Sequence, residues 1–171
     1  LADLGIERSE LVEKKAVEVG NIFTLGTKFS DALDLSFTDE DGSSKKVFMG
    51  SYGIGPSRLM GLIAEHFADD KGLVWPENVA PAKVYLVQIG DASVERADAL
   101  YDELQASGIE VIYDDRDVRP GQKFADSELM GIPYRVTVSD RLIEADQYEV
   151  VARKTGETQL LTQDELLAKL S

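Results

Sequence analysis

The sequence predicts an α/β (α+β) chain in two parts: an antiparallel sheet with a helix, then an α/β domain with a mixed, partly parallel five-stranded sheet flanked by helices. Three observations carry this expectation. Beyond residue 83, apolar runs of strand length alternate with amphipathic helical stretches, the order that builds a partly parallel sheet. Before residue 54, β-prone runs are separated by an Asp-Gly turn signal, which favours antiparallel pairing. Between them, "DDKGLVWPENVAPAK" (69–83) gathers Gly72, Pro76 and Pro81, residues that interrupt regular structure. The expected division is therefore 1–75, a linker over 76–82, and a second domain over 83–171.

The elements follow in order. Residues 1–17 show no clear periodicity, and 18–33 read as a strand bending into a short helix. Residues 35–53 read as a hairpin around Asp39-Glu40-Asp41-Gly42. "PSRLMGLIAEHFA" (56–68) reads as a helix: Pro56 suits its first position, where the missing N–H goes unused, and Leu59, Ile63 and Phe67 recur at helical spacing. In the second part, "KVYLVQIG" is an apolar strand and "SVERADALYDELQASG" an amphipathic helix ended by Gly108. "IEVIYDD" is a strand, "GQKFADSELMG" a short helix and "IPYRVTVSD" a third strand. "QYEVVARKTGETQLL" is a hairpin around Thr155-Gly156, and "TQDELLAKL" a helix whose Thr162 and Glu165 have capping-box spacing.

Bulk composition narrows the function. With 171 residues and 43% apolar content the chain can bury a core, and no run of apolar residues is long enough for a membrane helix. No secretory leader is evident, and a first residue that is Leu rather than Met suggests a piece of a longer chain. The absence of cysteine excludes disulfides, thiolate zinc and a thiol nucleophile, and fits a cytoplasmic protein. Net charge is −14. Up to residue 80 there are 8 basic and 14 acidic residues (−6), and after it 10 and 18 (−8), so nucleic-acid contact would need a local basic patch.

One stretch carries chemistry: "GSYGIGPSRLM" (50–60). It lacks the Gly-Lys-Ser/Thr frame of a P-loop, and Arg58 stands where the dinucleotide fingerprint needs its third glycine. What remains is a strand ending in Gly53-Ile54-Gly55, then a helix with Arg58 in its first turn. Two residues without Cβ let a flat ligand approach the backbone, a guanidinium can stack on a base or fork onto phosphate, and a helix N-terminus favours anions. The competing reading is a Gly-rich turn with Arg58 paired to a surface carboxylate.

"GSYGIGPSR" resembles motif 3 of class II aminoacyl-tRNA synthetases. "EVGNIFTLGTKFS" resembles the strand before it in prolyl-tRNA synthetases, "GLVWPENVAP" their exit from the catalytic domain, and "YDDRDVRPGQKFADSELMGIP" their anticodon-binding domain. The four matches come in the family's order. The resemblance implies an ATP site of Glu18, Asn21, Gly53, Gly55, Ser57 and Arg58, with Arg58 on adenine and near the γ-phosphate. It implies a proline site of Phe23, Ser51 and Gly53. Asn21 replaces a His common in relatives, and Ser51 a frequent Cys. It implies anticodon contacts from Asp115, Arg116, Arg119, Lys123, Phe124 and Glu128. Arg116, Arg119 and Lys123 would meet phosphates or guanine edges, Asp115 and Glu128 would accept from guanine N–H groups, and Phe124 would stack on a base or fill the core. Asp114, Asp115 and Asp117 read alternatively as a solvated acidic loop. His66 reads as structural or exposed, and no bound metal is expected in this piece.

The same resemblance implies ATP and proline as substrates, Mg2+ in the full enzyme, tRNA(Pro) as partner, a full-length homodimer, a cytoplasmic location and no membrane. It covers only the last third or so of a synthetase, without motifs 1 and 2. The 171-residue chain alone is therefore expected not to activate proline. The reading from a different class is a free-standing accessory module of the anticodon-binding type that binds RNA or a protein.

Overall fold

A computed structural model describes residues 5–171. The chain divides into two compact units, one ending at Leu62 and the other running from Ile63 to Ser171.

In the first unit, β1 (Gly20–Gly26) leads into the short α1 (Lys28–Ala32), then β2 (Ser36–Thr38), β3 (Ser44–Lys46) and β4 (Met49–Ile54). Helix α2 (Pro56–Phe67) follows and crosses the division between the units. The Asp-Gly turn forms as its residues dictate. The Asp41 carboxylate accepts from the Ser43 amide at 2.8 Å, and Gly42 takes φ +81°, where a side chain would be strained. The hairpin is narrower than the sequence suggests, because only β2 and β3 pair across that turn. β4 leaves it and pairs antiparallel with β1, in a separate two-stranded sheet whose register shifts between Thr24 and Gly26. A β-prone run announces a strand but not its partner, so 35–53 reads as one hairpin from sequence and is two pairings in space.

The second unit is a five-stranded sheet ordered β6-β5-β7-β8-β9. Its elements are β5 (Val84–Ile89), α3 (Val94–Ala106), β6 (Val111–Asp114), α4 (Pro120–Met130), β7 (Tyr134–Ser139), α5 (Asp140–Glu144), β8 (Tyr148–Ala152), β9 (Thr158–Leu161) and α6 (Gln163–Leu170). β5 is parallel to β6 and β7, and β8 runs antiparallel to β7 and β9. The sheet is thus mixed, parallel where helices cross over and antiparallel where the hairpin around Gly156 needs only a tight turn. One face packs Val84, Leu86, Val136, Val138 and Val150 against Leu100 and Leu104 of α3 and Leu166 and Leu170 of α6. The other packs Tyr85, Val87 and Ile132 with Phe124 of α4.

The capping box of α6 forms, with the Thr162 amide donating to Glu165 at 2.9 Å. The five-residue α5 is unannounced in the sequence, being too short to show a period, and it starts where Ser139 accepts from the Leu142 amide. Residues 69–75 hydrogen-bond to the end of α4 within this unit: the Leu73 amide donates to Leu129 O, and Trp75 to Gly131 O, both at 3.1 Å.

Candidate functional site

The β1–β4 register decides what the first unit can present. Asn21 lies opposite Gly53, and Phe23 opposite Ser51. Directly opposed residues of an antiparallel pair project to the same face. Asn21, Phe23, Ser51 and Gly53, thirty positions apart in sequence, therefore share one face of the sheet, while Ile22 and Tyr52 share the other. A Cβ on Gly53 would meet nothing within 4 Å, so the backbone is open there to a flat ligand.

Strand β4 continues into α2 through Gly55, whose amide donates to Val19 O at 3.1 Å. The first intrahelical bond runs from Leu59 N to Gly55 O, so among the described residues the Ser57 and Arg58 amides have no backbone acceptor. An exposed helix start with free amides favours an anion. The Arg58 guanidinium is held at this point: Nη1 donates to Glu18 O at 2.8 Å and stands 4.0 Å from the Glu18 carboxylate. The side chain is 60% exposed and, among the described residues, makes this one hydrogen bond, which leaves its other N–H groups available. Glu18 and Arg58 thus lie together where β1 begins and β4 ends, and Ser57 is exposed beside them.

In the second unit, the six residues expected to meet RNA fall into two groups. Asp115, Arg116 and Lys123 line a cavity of about 290 Å³ where β5 and β6 end and α4 begins. Arg119 is the exposed N-cap residue of α4 beside it. Lys123 differs from expectation. It is only 3% exposed, and its ammonium donates inward to Gln88 O at 2.7 Å and Asp114 O at 3.0 Å. A buried ammonium must find acceptors, and two backbone carbonyls supply them before any phosphate can. Its role is to tie the ends of β5 and β6 together.

Arg116 is also engaged. It forks onto Asp114 with two bonds of 2.8 Å and reaches Asp126 at 2.7 Å. Asp114, read as one of three solvated acids, is 3% exposed and also accepts from the Tyr85 hydroxyl at 2.8 Å. The hydrogen-bonded Arg116 guanidinium holds the Asp114 carboxyl below its ordinary value, against the opposing effect of burial. The same arrangement pushes the Tyr85 hydroxyl up to about 12, chiefly through burial and then through the bond to Asp114. Asp115 and Asp117 remain exposed in the loop.

The second group lies along α4. Phe124 packs into the core beneath the helix and carries the Arg135 guanidinium over its ring at 4.3 Å. Stacked this way the ring is occupied on the Arg135 side. Glu128, one turn on, is paired with Lys71 at 3.0 Å. Arg135 is a functional candidate that sequence reasoning missed, being indistinguishable there from any polar residue in an alternating strand. Its Nε is buried without a partner, and its nearest carboxylate is Glu149 at 3.4 Å. His66 is exposed and makes an edge contact with Phe67.

Family models agree with this architecture. Residues 83–171 match the "Anticodon binding domain" family, and residues 7–67 match the "tRNA synthetase class II core domain (G, H, P, S and T)" family. Among curated proteins, the chain is 50% identical over 155 residues to a proline--tRNA ligase of Levilactobacillus brevis, covering 89% of this chain. It is 48% identical over 156 residues to that of Geobacillus sp. and 44% over 167 residues to that of Psychrobacter arcticus, covering 90% and 92% of this chain. The chain spans 27%, 27% and 29% of those three relatives, and the matched region is their C-terminal part. Similarity through both units does not favour a free-standing accessory module. A match over more than half of the chain leads to one assignment: preceded by a segment that matches the class II synthetase core and similar along most of its length to proline--tRNA ligases, the chain belongs to the anticodon-binding-domain family.

Proposed function

We propose that this chain serves, within a longer cytoplasmic and homodimeric enzyme, as the C-terminal part of a ligase that joins proline to tRNA(Pro). ATP and proline form prolyl-adenylate and pyrophosphate, and a hydroxyl of the terminal tRNA adenosine then attacks the prolyl carbonyl and releases AMP. In this reading, the first unit completes the catalytic site, and 83–171 recognise the anticodon with residues 69–75 packed against them.

The observation that carries the reading is the β1–β4 register beside Arg58. Asn21 would meet the nucleotide and Phe23 would wall the proline ring with Ser51 beside the amino acid, while Gly53 and Gly55 make the floor under both substrates. Gly55, Ser57 and the free helix amides would lie along the phosphates, and Arg58 would stack on adenine and approach the γ-phosphate. The acceleration is of the positioning and charge-stabilising kind, because attack at phosphorus by a bound carboxylate needs no side-chain nucleophile. ATP enters as its Mg2+ complex.

Recognition of the anticodon would use Glu128 and Asp115 as acceptors from guanine N–H groups, Arg119 on phosphate, and Phe124 with Arg135 as the surface on which a base lies. Arg116 and Lys123 would shape this surface rather than touch RNA.

Proline-dependent exchange of pyrophosphate into ATP tests the catalytic half. In the full-length ligase, Arg58→Ala should cut exchange about 100-fold or more, the scale of losing one charge-stabilising group. Exchange unaffected by Arg58→Ala refutes the proposed site. The 171-residue chain alone should show none.

A further inference from the structure

Glu128 is held by a segment that sequence reasoning treated as a passive exit. Helix α4 ends at Met130, and its last carbonyls need partners. Residues 69–75 supply them, with Leu73 N on Leu129 O and Trp75 N on Gly131 O, while Arg153 Nε donates to Glu128 O at 3.0 Å. The segment is fixed in turn. Asp69 accepts from Arg153 through both carboxylate oxygens, at 2.7 and 2.6 Å, and its Oδ1 also accepts from the Lys71 and Gly72 amides. A Cβ on Gly72 would stand 2.5 Å from Leu129 Cα, so the strap lies directly on the helix. Lys71 is thus the one basic side chain on a backbone pinned from both sides, and its ammonium meets the Glu128 carboxylate at 3.0 Å. Lys71, Glu128 and Arg135 line one small depression of about 40 Å³.

We propose that Lys71 is a specificity-determining residue that reads a guanine edge together with Glu128. The inference rests on the anticodon reading above. A carboxylate accepts from guanine N1–H and N2–H, while an adjacent ammonium donates to O6. Adenine reverses both signs, presenting a donor where O6 would be and an acceptor at N1, so it meets the pair with each contact opposed. An isolated surface ion pair has little stabilising value, and the strap that satisfies the last carbonyls of α4 also holds this pair in register. Without RNA the two side chains satisfy each other, and the base edge exchanges that bond for its own.

The test uses the 171-residue chain and labelled anticodon stem-loops carrying the proline anticodon, or the same loop with one anticodon guanine replaced by adenine. Affinities are read by fluorescence anisotropy at two salt concentrations. The wild-type chain should prefer at least one guanine position about 10-fold or more, the scale of one good base-edge contact. Lys71→Met and Glu128→Gln should each collapse that preference, the double variant should add nothing, and Lys71→Arg should retain part of it. Asp69→Asn, which loosens the strap but keeps Lys71, should fall between. A Lys71→Met chain that loses affinity for both loops equally, with the preference intact, overturns the inference while leaving Glu128 as a reader. A Glu128→Gln chain with undiminished preference, or a wild-type chain with none, overturns the anticodon reading of Glu128 and this inference with it. Lys71 is 62% exposed, so its replacement does not threaten folding.

Discussion

The two units use their apolar residues in opposite ways. In the second, Val84, Leu86, Val87, Val136 and Val138 are fully buried between helices on either side of the sheet. In the first, Ser30 is the only buried residue among those described, while Ile22, Tyr52, Phe48 and Leu33 stand 84%, 83%, 72% and 74% exposed. Both contain β-prone, apolar sequence, so the difference is not composition. It is whether a strand finds layers to cover it. A two-stranded sheet cannot bury both faces by itself, and such ribbons are marginal in water. The C-terminal unit carries its own stability. The N-terminal unit leaves its sheets uncovered, and most of it matches the class II core model in a chain that spans about a quarter of its relatives.

The sharpest way to break this contrast is to truncate one side chain in each unit. Leu86→Ala, at the centre of β5, should cost about 2–5 kcal/mol in urea unfolding followed through Trp75, the only tryptophan. Ile22→Ala and Tyr52→Ala should shift the same curve by no more than about 0.5 kcal/mol, as exposed positions do. Equal effects would mean that the first unit has a core of its own.

Two glycines sharpen the contrast further. Gly131 ends α4 at φ +71°, with Leu73 O where a Cβ would sit. Gly131→Ala should cost about 2–3 kcal/mol from left-handed strain and lost contact with the strap, read in the same unfolding curve. Gly53 has ordinary φ and open space around it, so Gly53→Ala should leave unfolding unchanged. On the proposed function, it should nevertheless raise the KM for ATP of the full-length enzyme, because the methyl group would intrude on the face shared with Asn21 and Phe23. If the proposed function holds, only Gly53 should separate activity from stability.

How much was legible follows from the range of the forces involved. The starts of α2, α3 and α6, the α6 cap and the hairpin around Gly156 depend on a few neighbouring residues, and they stand where the sequence puts them. The alternating helices and strands after residue 83 imply a partly parallel sheet, and the sheet is that. What failed depends on long-range partners. The β4–β1 pairing is decided by which strand needs an edge, and the strap by carbonyls at the far end of a helix. Lys123 and Asp114 read as solvent-facing charges because they sit among charges. The fold turns both inward: Asp114 meets Arg116 and Tyr85, and Lys123 meets two carbonyls. Arg135 gave no signal, since only the structure puts its guanidinium over Phe124.

The buried Asp114 cluster yields the smallest predicted effect and the most direct separation of the units by pH. The Asp114 carboxyl is lowered by Arg116 in the folded state, so the native protein holds this proton more weakly than the unfolded chain does. Its contribution is therefore fully present above the ordinary carboxylate range and drains away as pH falls from about 4 through the lower folded value. Tyr85 works in the opposite sense. Raised to about 12, it contributes fully below its ordinary value near 10 and loses that contribution as pH climbs from 10 toward 12. Stability of the C-terminal unit should decline at both ends. Asp114→Asn should flatten the acid limb, and Tyr85→Phe the alkaline limb, each relative to the wild-type curve measured by urea midpoint against pH. Neither variant should alter hydrogen exchange in β1 or β4, whose chain segment contains none of the cluster's residues. If Asp114→Asn leaves the acid limb as steep as before, the carboxylate is not held by Arg116 in solution, and the loop bearing Asp115 and Arg119 is not fixed by that contact.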